Sequence, residues 1–353
     1  MNFHEWNRNK NLWLREQKRR LALALFDKKN PHVFTQQETQ KFRKILILRN
    51  DNKLGDMIVT SVVIRELKKQ LPNAEISVIA GPTSAQLLTH NPYVSHIYVG
   101  ENQFWQMFWL GRKLATENFD LFVDFDRKNS AATLLFLRLL RPKFAFGFNR
   151  EGIKLYNLSV PFDFDAFHVT QWHAKFLATL GLSLTDTHYD LFLPEKEMQE
   201  TEQFLSSLKP FIALSVFAAS KHRSFSWEQV CAIAQAFPND KFVLLGKFAQ
   251  NHALTQGKIN PTNLLLLPPS FGLYHSLAAL KQSILLVTPD TMYVHAAVSF
   301  HKPLVALYKD TPEAYSWAPQ NITFRTFLTK EDFSQFDILL LIKAVKEILA
   351  KIR

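Results

Sequence analysis

The sequence predicts an α/β protein built from two doubly wound, Rossmann-like domains, and three observations carry that expectation. Short, continuously apolar runs alternate with segments of helical spacing, as strands buried on both faces of a parallel sheet require. The alternation starts at Lys44, gives way to a polar stretch from Pro194 to Lys209, and restarts at Phe211. A chain of 353 residues accommodates two domains of ordinary size.

In the first half, Lys44-Ile-Leu-Ile-Leu-Arg49 is the opening strand. Met57 to Gln70 has helical spacing and stops before Pro72. Ile76 to Ala80 is the next strand, ending at Gly81-Pro82. His96 to Val99 is short and strand-like, and Phe104 to Asn118 is helical. Leu121 to Phe125 is a strand, Ser130 to Leu140 a helix, and Phe144 to Phe148 a further strand. In the second half, the strands are Phe211 to Phe217, Lys241 to Leu245, Leu264 to Leu267, Ile284 to Val287 and Leu304 to Leu307. The helices between them are Trp227 to Phe237, Leu273 to Lys281 and Thr291 to Phe300, and Phe336 to Ile352 closes the chain as an amphipathic helix. The expected organisation is an extension over 1–40, a first domain over 41–195, a second over 205–335 and a closing helix over 336–353. Doubly wound domains bind ligands at the carboxyl ends of their strands, so two such domains facing across a cleft would place the site there.

The composition, 47% hydrophobic and 21% charged, is that of a globular protein. A single cysteine, Cys231, forms no internal disulfide, which fits a reducing compartment. No apolar run reaches the roughly 18 residues of a membrane span, and the polar N-terminus lacks the apolar core of a secretory signal. The net charge of +11 favours polyanionic partners: nucleic acid, anionic membrane or a phosphorylated substrate. Residues 1–30 hold eight Lys/Arg against three acids, interleaved with Trp6, Trp13, Leu21 and Leu25. A helix here is basic and amphipathic, suited either to an anionic membrane surface or to packing on the main body.

The loop after the first strand, Asn50-Asp51-Asn52-Lys53-Leu54-Gly55-Asp56, holds one glycine. It is neither a dinucleotide fingerprint nor a Walker loop. Gly55 permits close backbone approach. Asp56, at the mouth of a helix, either caps that helix or takes a proton from a substrate hydroxyl. Asp124-Phe-Asp126 and Asp163-Phe-Asp165 have the spacing of a metal-binding Asp-x-Asp pair. There is no zinc-type His/Cys cluster and no Ser-centred nucleophile elbow.

The run from Ile45 to Pro72, with Gly55-Asp56 closing its loop and Lys68-Lys69 near the helix end, resembles the opening of glycosyltransferase family 9, which contains the bacterial lipopolysaccharide core heptosyltransferases. Phe119-Asp-Leu-Phe-Val-Asp124, Val287-Thr-Pro-Asp-Thr-Met-Tyr-Val-His-Ala-Ala297 and Lys302-Pro-Leu-Val-Ala-Leu307 extend the resemblance over about 44–320. It implies the GT-B fold and an inverting transfer without metal or other cofactor. The first domain would hold a lipid-linked saccharide acceptor, and the second a nucleotide sugar, ADP-heptose, as co-substrate. The setting it implies is cytoplasmic, at the inner face of a bacterial inner membrane.

By this resemblance Asp56 is the general base, with Lys53 and Gly55 in its loop. The carboxylate accepts the acceptor proton as the hydroxyl attacks an oxocarbenium-like anomeric carbon. Lys221, or alternatively Arg223, meets the donor phosphates, with Ser220 as a hydroxyl donor. Asp290 and Thr291 open a helix whose free N–H groups bind phosphate, unless Asp290 simply caps it. His295 either touches phosphate, holds the loop, or is a satisfied structural histidine. Two departures stand out. Met292 occupies the place of the family's glycine, and the family's Lys-x-Trp-Pro is not present in that form. Another nucleotide-sugar donor, or a homologue that binds without catalysis, is therefore the alternative. A nucleic-acid-binding protein lacks a recognition motif here, and a nicotinamide dehydrogenase lacks its glycine-rich turn.

Overall fold

The structure, a computed structural model, describes residues 3–127, 129–218, 220–246, 248–258 and 260–353. Met1 and Asn2 of the N-terminal extension, and Ala219 of the loop 218–224, lie outside the described residues. The chain divides into two compact units. The first comprises Met1–Met57, Val62–Phe164 and Thr170–Thr187; the second comprises Ile58–Ser61, Asp165–Val169 and His188–Arg353.

The elements of the first part of the chain are α1 (Phe3–Phe26), β1 (Lys44–Arg49), α2 (Leu54–Gln70), β2 (Glu75–Ala80), β3 (His96–Val99), α3 (Phe104–Leu114), β4 (Leu121–Asp124), α4 (Ala131–Leu140), β5 (Phe144–Phe148), β6 (Leu158–Val160) and α5 (Val169–Thr179). The sheet runs β3-β2-β1-β4-β5-β6, with every neighbouring pair parallel. Ile45 to Leu48 are wholly buried, which is why the strand reads as an unbroken apolar run. Leu46, Leu48 and Phe122 meet a helical layer of Ala22 from α1, Met107 and Leu114 from α3, and Phe136 and Leu137 from α4. Ser130 caps α4 by accepting from Thr133 N at 2.9 Å, and Arg141 ends it in the left-handed conformation ahead of Pro142. Phe125, Phe146, Phe148 and Phe176 stack edge to face elsewhere in the unit.

The second part contains α6 (Glu195–Leu205), β7 (Phe211–Ser215), α7 (Trp227–Gln235), β8 (Lys241–Leu245), α8 (Phe248–Thr255), β9 (Leu264–Leu266), α9 (Leu273–Gln282), β10 (Leu285–Pro289), α10 (Met292–Ser299), β11 (Leu304–Lys309), α11 (Pro312–Ser316), β12 (Phe324–Thr329) and α12 (Ile338–Ile352). Its sheet runs β12-β11-β10-β7-β8-β9, again wholly parallel. A reciprocal Ser226–Gln229 box starts α7. Leu341, Val345 and Ile348 of α12 join the core built on Val287, Val305 and Leu307.

Renumbered within each unit, both sheets have the strand order 3-2-1-4-5-6. The winding reverses between strands 1 and 4, that is, between β1 and β4 in the first sheet and between β7 and β10 in the second. Connections leave this point toward opposite faces of the sheet, so the reversal opens a crevice at the carboxyl ends.

Candidate active site

Four ionisable side chains converge at the switch point of the first sheet. Arg49, the last residue of β1, is buried, and its Nη2 donates to Asp56 Oδ2. Its Nη1 lies 3.8 Å from Asp51 Oδ2 and 3.7 Å from Asp126 Oδ1. Asp126 sits two residues beyond β4, so this guanidinium spans the reversal between β1 and β4. Burial, then the neighbouring Asp124, pushes the Asp126 carboxyl up to about 7. Asp124 itself is held by the Tyr156 hydroxyl at 2.6 Å and by Arg150 Nη2 at 3.3 Å.

Asp56 is the third residue of α2, whose N-terminal N–H groups favour a carboxylate. Lys53 at the N-cap makes no side-chain cap bond, and its exposed Nζ lies 3.9 Å from Asp56 Oδ2. Gly55 has helical backbone. The loop is braced by Asn52, in the left-handed region at φ 57°, whose Oδ1 accepts from Thr83 N at 2.9 Å. Gly81 makes this brace fit, since a Cβ there would stand 2.2 Å from Asn52 Oδ1.

At the switch point of the second sheet, Arg223 Nη1 donates to Asp290 Oδ2 at 3.2 Å, joining the loop after β7 to the end of β10. Lys221 and Ser220 are exposed in the same loop. Thr291 caps α10, its hydroxyl accepting from Tyr293 N at 3.3 Å and lying 3.1 Å from Thr288 Oγ1. Met292 is half-buried as the first residue of α10, in helical conformation. The backbone here therefore does not require the left-handed angles that favour glycine. His295 is buried, its ring meeting Tyr189 at 6.0 Å and Trp317 at 5.7 Å edge to face. Burial, then the nearby His168, lowers its pKa to about 3, so it is neutral. This packing among aromatics is that of a structural histidine.

Sequence reasoning missed Arg49, Asp126 as its partner, and the Arg150–Asp124–Tyr156 cluster. A signal existed for the first, since a charged residue ending an otherwise apolar central strand stands where a parallel sheet binds ligands. Asp124 and Asp126, weighed above as a metal pair, are engaged instead by Arg150 and Arg49. Among the described residues no group of three or more His, Cys, Asp or Glu is arranged to hold a metal. No described helix is long and apolar enough to cross a membrane. Chemically, the first cluster offers a carboxylate oriented by a buried cation, and the second offers cations and helix N–H groups.

The chain resembles known proteins in sequence and in fold. A curated Escherichia coli K12 protein, provisionally named lipopolysaccharide heptosyltransferase 4, is 25% identical over 91% of this chain and 90% of its own length. The lipopolysaccharide core heptosyltransferase OpsX of Haemophilus influenzae is 21% identical over 76% of this chain and 80% of its own. A glycosyltransferase family 9 structure from Veillonella parvula superposes with a TM-score of 0.74 at 16% identity, covering 88% of this chain and 97% of the other. The Escherichia coli ADP-heptose heptosyltransferase II structure gives 0.70 at 19% identity, covering 87% and 99%. These likenesses show the two-Rossmann-domain GT-B fold. The sequence signature of glycosyltransferase family 9 (heptosyltransferase) matches residues 107–334, more than half of the chain, a stretch that begins after Asp56. The chain thus belongs to glycosyltransferase family 9 and is a glycosyltransferase.

Proposed function

We propose that this transferase moves a heptose from ADP-heptose, with inversion, onto a lipid-linked lipopolysaccharide core acceptor, and that Asp56 takes the acceptor proton. The observation that carries the reading is the Arg49–Asp56 pair at the carboxyl edge of the first sheet. A carboxylate gripped by a fixed guanidinium has a set orientation toward an incoming alcohol. It takes the proton late, as the attacking oxygen becomes acidic on bonding to the anomeric carbon. On the other side of that carbon the diphosphate departs with its negative charge to be met. Lys221, Arg223, Ser220, Thr291 and the first N–H groups of α10 are the groups assigned to it. Asp290 keeps Arg223 folded against the loop until the phosphates compete for it. The names of the Escherichia coli and Haemophilus relatives support heptose as the sugar and the lipopolysaccharide core as the acceptor. A solved heptosyltransferase of the same fold holds ADP.

Thermal unfolding in the presence of ADP-, UDP-, GDP- and CMP-linked sugars tests the donor. Binding at a hundredfold excess over Kd adds about 2.7 kcal/mol to stability, equivalent to a rise of several degrees. The expected result is a rise with ADP-heptose. A rise with a UDP-, GDP- or CMP-sugar alone would replace the donor, and no rise with any of them would remove the nucleotide-sugar reading. Met292 bears on this screen, because its side chain stands where the family's glycine leaves room.

A further inference from the structure

Two helices of the first unit turn apolar residues outward. α1 packs through Ala22, Leu23 and Phe26 onto the layer that contains α4. Its opposite face carries Trp6, Trp13, Leu21 and Leu25, spaced seven, eight and four residues apart and so aligned in one stripe. Trp13 is 61% and Leu21 62% exposed. α3 does the same. It buries Met107, Gly111 and Leu114, and a Cβ on Gly111 would lie 3.1 Å from the Leu139 Cβ, so α3 and α4 pack closely. Outward it presents Trp105 and Trp109, four residues apart, 68% and 65% exposed. Four large indoles on exposed helix faces leave apolar surface in water that a merely packed helix would have no reason to hold.

The charge beside these stripes is predominantly positive. Lys10, Arg15, Lys18 and Arg20 are exposed on α1, while Glu16 is occupied by Arg19 and Arg20. Arg112 and Lys113 close α3, which contains no acid. Lys10 Nζ stands 4.9 Å above the Trp6 ring, an indole–ammonium pair.

We propose that the outer faces of α1 and α3 seat this protein on an anionic phospholipid surface, with the indoles at the headgroup–acyl boundary and the lysines and arginines against lipid phosphates. Indole rings favour that boundary, and each basic residue near an anionic leaflet contributes about 1 kcal/mol. A second copy on the same face would bring positive charge against positive charge. The inference stands apart from the sugar-transfer reading, because lipid binding needs no donor and no Asp56.

The test is co-sedimentation of the full-length chain with vesicles of phosphatidylcholine containing about one-third phosphatidylglycerol, against phosphatidylcholine alone. Binding is expected to the anionic vesicles, with a blue shift of tryptophan emission. It should be about tenfold or more weaker on pure phosphatidylcholine, and weakened again at about 0.5 M salt, where screening is strong. The double variants Trp13→Ser/Leu21→Ser and Trp105→Ser/Trp109→Ser should each lose about tenfold or more in partitioning. Their melting temperatures should stay put, because the side chains are exposed. Three results overturn the proposal: no sedimentation of the wild-type chain with anionic vesicles; wild-type partitioning by both double variants; or lipid-free self-association that the same substitutions abolish, which assigns the face to a second copy.

Discussion

Arg49 at the end of β1 donates through Nη2 to Asp56 in the first turn of α2, and through the same guanidinium reaches Asp126 beyond β4 at 3.7 Å. One buried cation thus fixes the carboxylate assigned as base and ties together the two strands between which the sheet reverses. The expected consequence is that Arg49 is structural and positioning at once. Arg49→Ala leaves three carboxylates without their shared cation and should cost about 3–5 kcal/mol of stability, read from urea unfolding. Arg49→Lys keeps the charge and loses the fork. It should fold and show reduced kcat with nearly unchanged donor KM. Wild-type kcat in the Arg49→Lys variant would separate the guanidinium from positioning.

The Asp126 carboxyl, pushed up to about 7 from an ordinary value of 3.8, gives stability a particular pH slope. The native state holds this proton over a range where the unfolded chain has released it. Stability from this group is therefore full below about pH 4 and declines as pH rises toward 7. Asp126→Asn should remove that slope. The difference in unfolding free energy, variant minus wild type, should grow by about 4 kcal/mol across the window. Parallel curves for the two proteins would show that Asp126 is ionised throughout.

His295 slopes the other way. Its folded value of about 3, below the ordinary 6.5, means the unfolded chain binds the proton first as pH falls. The contribution is intact above pH 6.5 and is lost progressively down to about pH 3. His295→Gln should blunt acid unfolding in that window. It should leave donor KM within a few-fold if the ring serves packing between Tyr189 and Trp317. A large rise in donor KM with unchanged acid unfolding would give the ring a phosphate role instead.

How much of this could be read from residues alone follows the physics of burial. The central strands β1, β2, β4 and β5 are apolar on both faces, so their runs announce themselves. β12 is half-exposed along Phe324–Thr329, and β6 is three half-buried residues at a sheet edge, so neither has a run to read. The polar stretch after Pro194 is the helix α6, which buries only Thr201 and Leu205 and so has a weak apolar pattern. Asp56 was legible because a carboxylate after a strand-1 glycine is a local pattern. Arg49–Asp126 was not, because its partners lie far apart in the chain and meet only when β1 and β4 become neighbours.

Gly81 and Asn52 make a prediction about the loop itself. Gly81→Ala places a Cβ 2.2 Å from Asn52 Oδ1 and must expel that side chain from its bonds to Thr83 and Glu101. A loss of about 1–2 kcal/mol is expected from the broken brace, with lower kcat as the loop carrying Asp56 loosens. The same alanine added to Asn52→Gly should cost much less. Additive losses in that cycle, measured by urea unfolding, would show that the two positions are uncoupled.

In the second unit, Arg223 and Lys221 part company by environment. Arg223 is held by Asp290, whereas Lys221 is exposed on the same turn. If both meet the departing diphosphate, Arg223→Ala and Lys221→Ala should each lower kcat/KM by about tenfold to a hundredfold. Steady-state kinetics with varied donor reads this directly. An unaffected Lys221→Ala would leave the phosphates to Arg223 and α10.

The most direct measurement compares ADP release by the wild-type chain and by Asp56→Asn, with ADP-heptose and a lipopolysaccharide core acceptor, alongside ADP-induced thermal stabilisation of both. The proposed chemistry requires the variant to turn over about a thousandfold more slowly, while ADP raises the two melting temperatures equally. Turnover by Asp56→Asn within a few-fold of wild type would contradict the assignment of this carboxylate as the base.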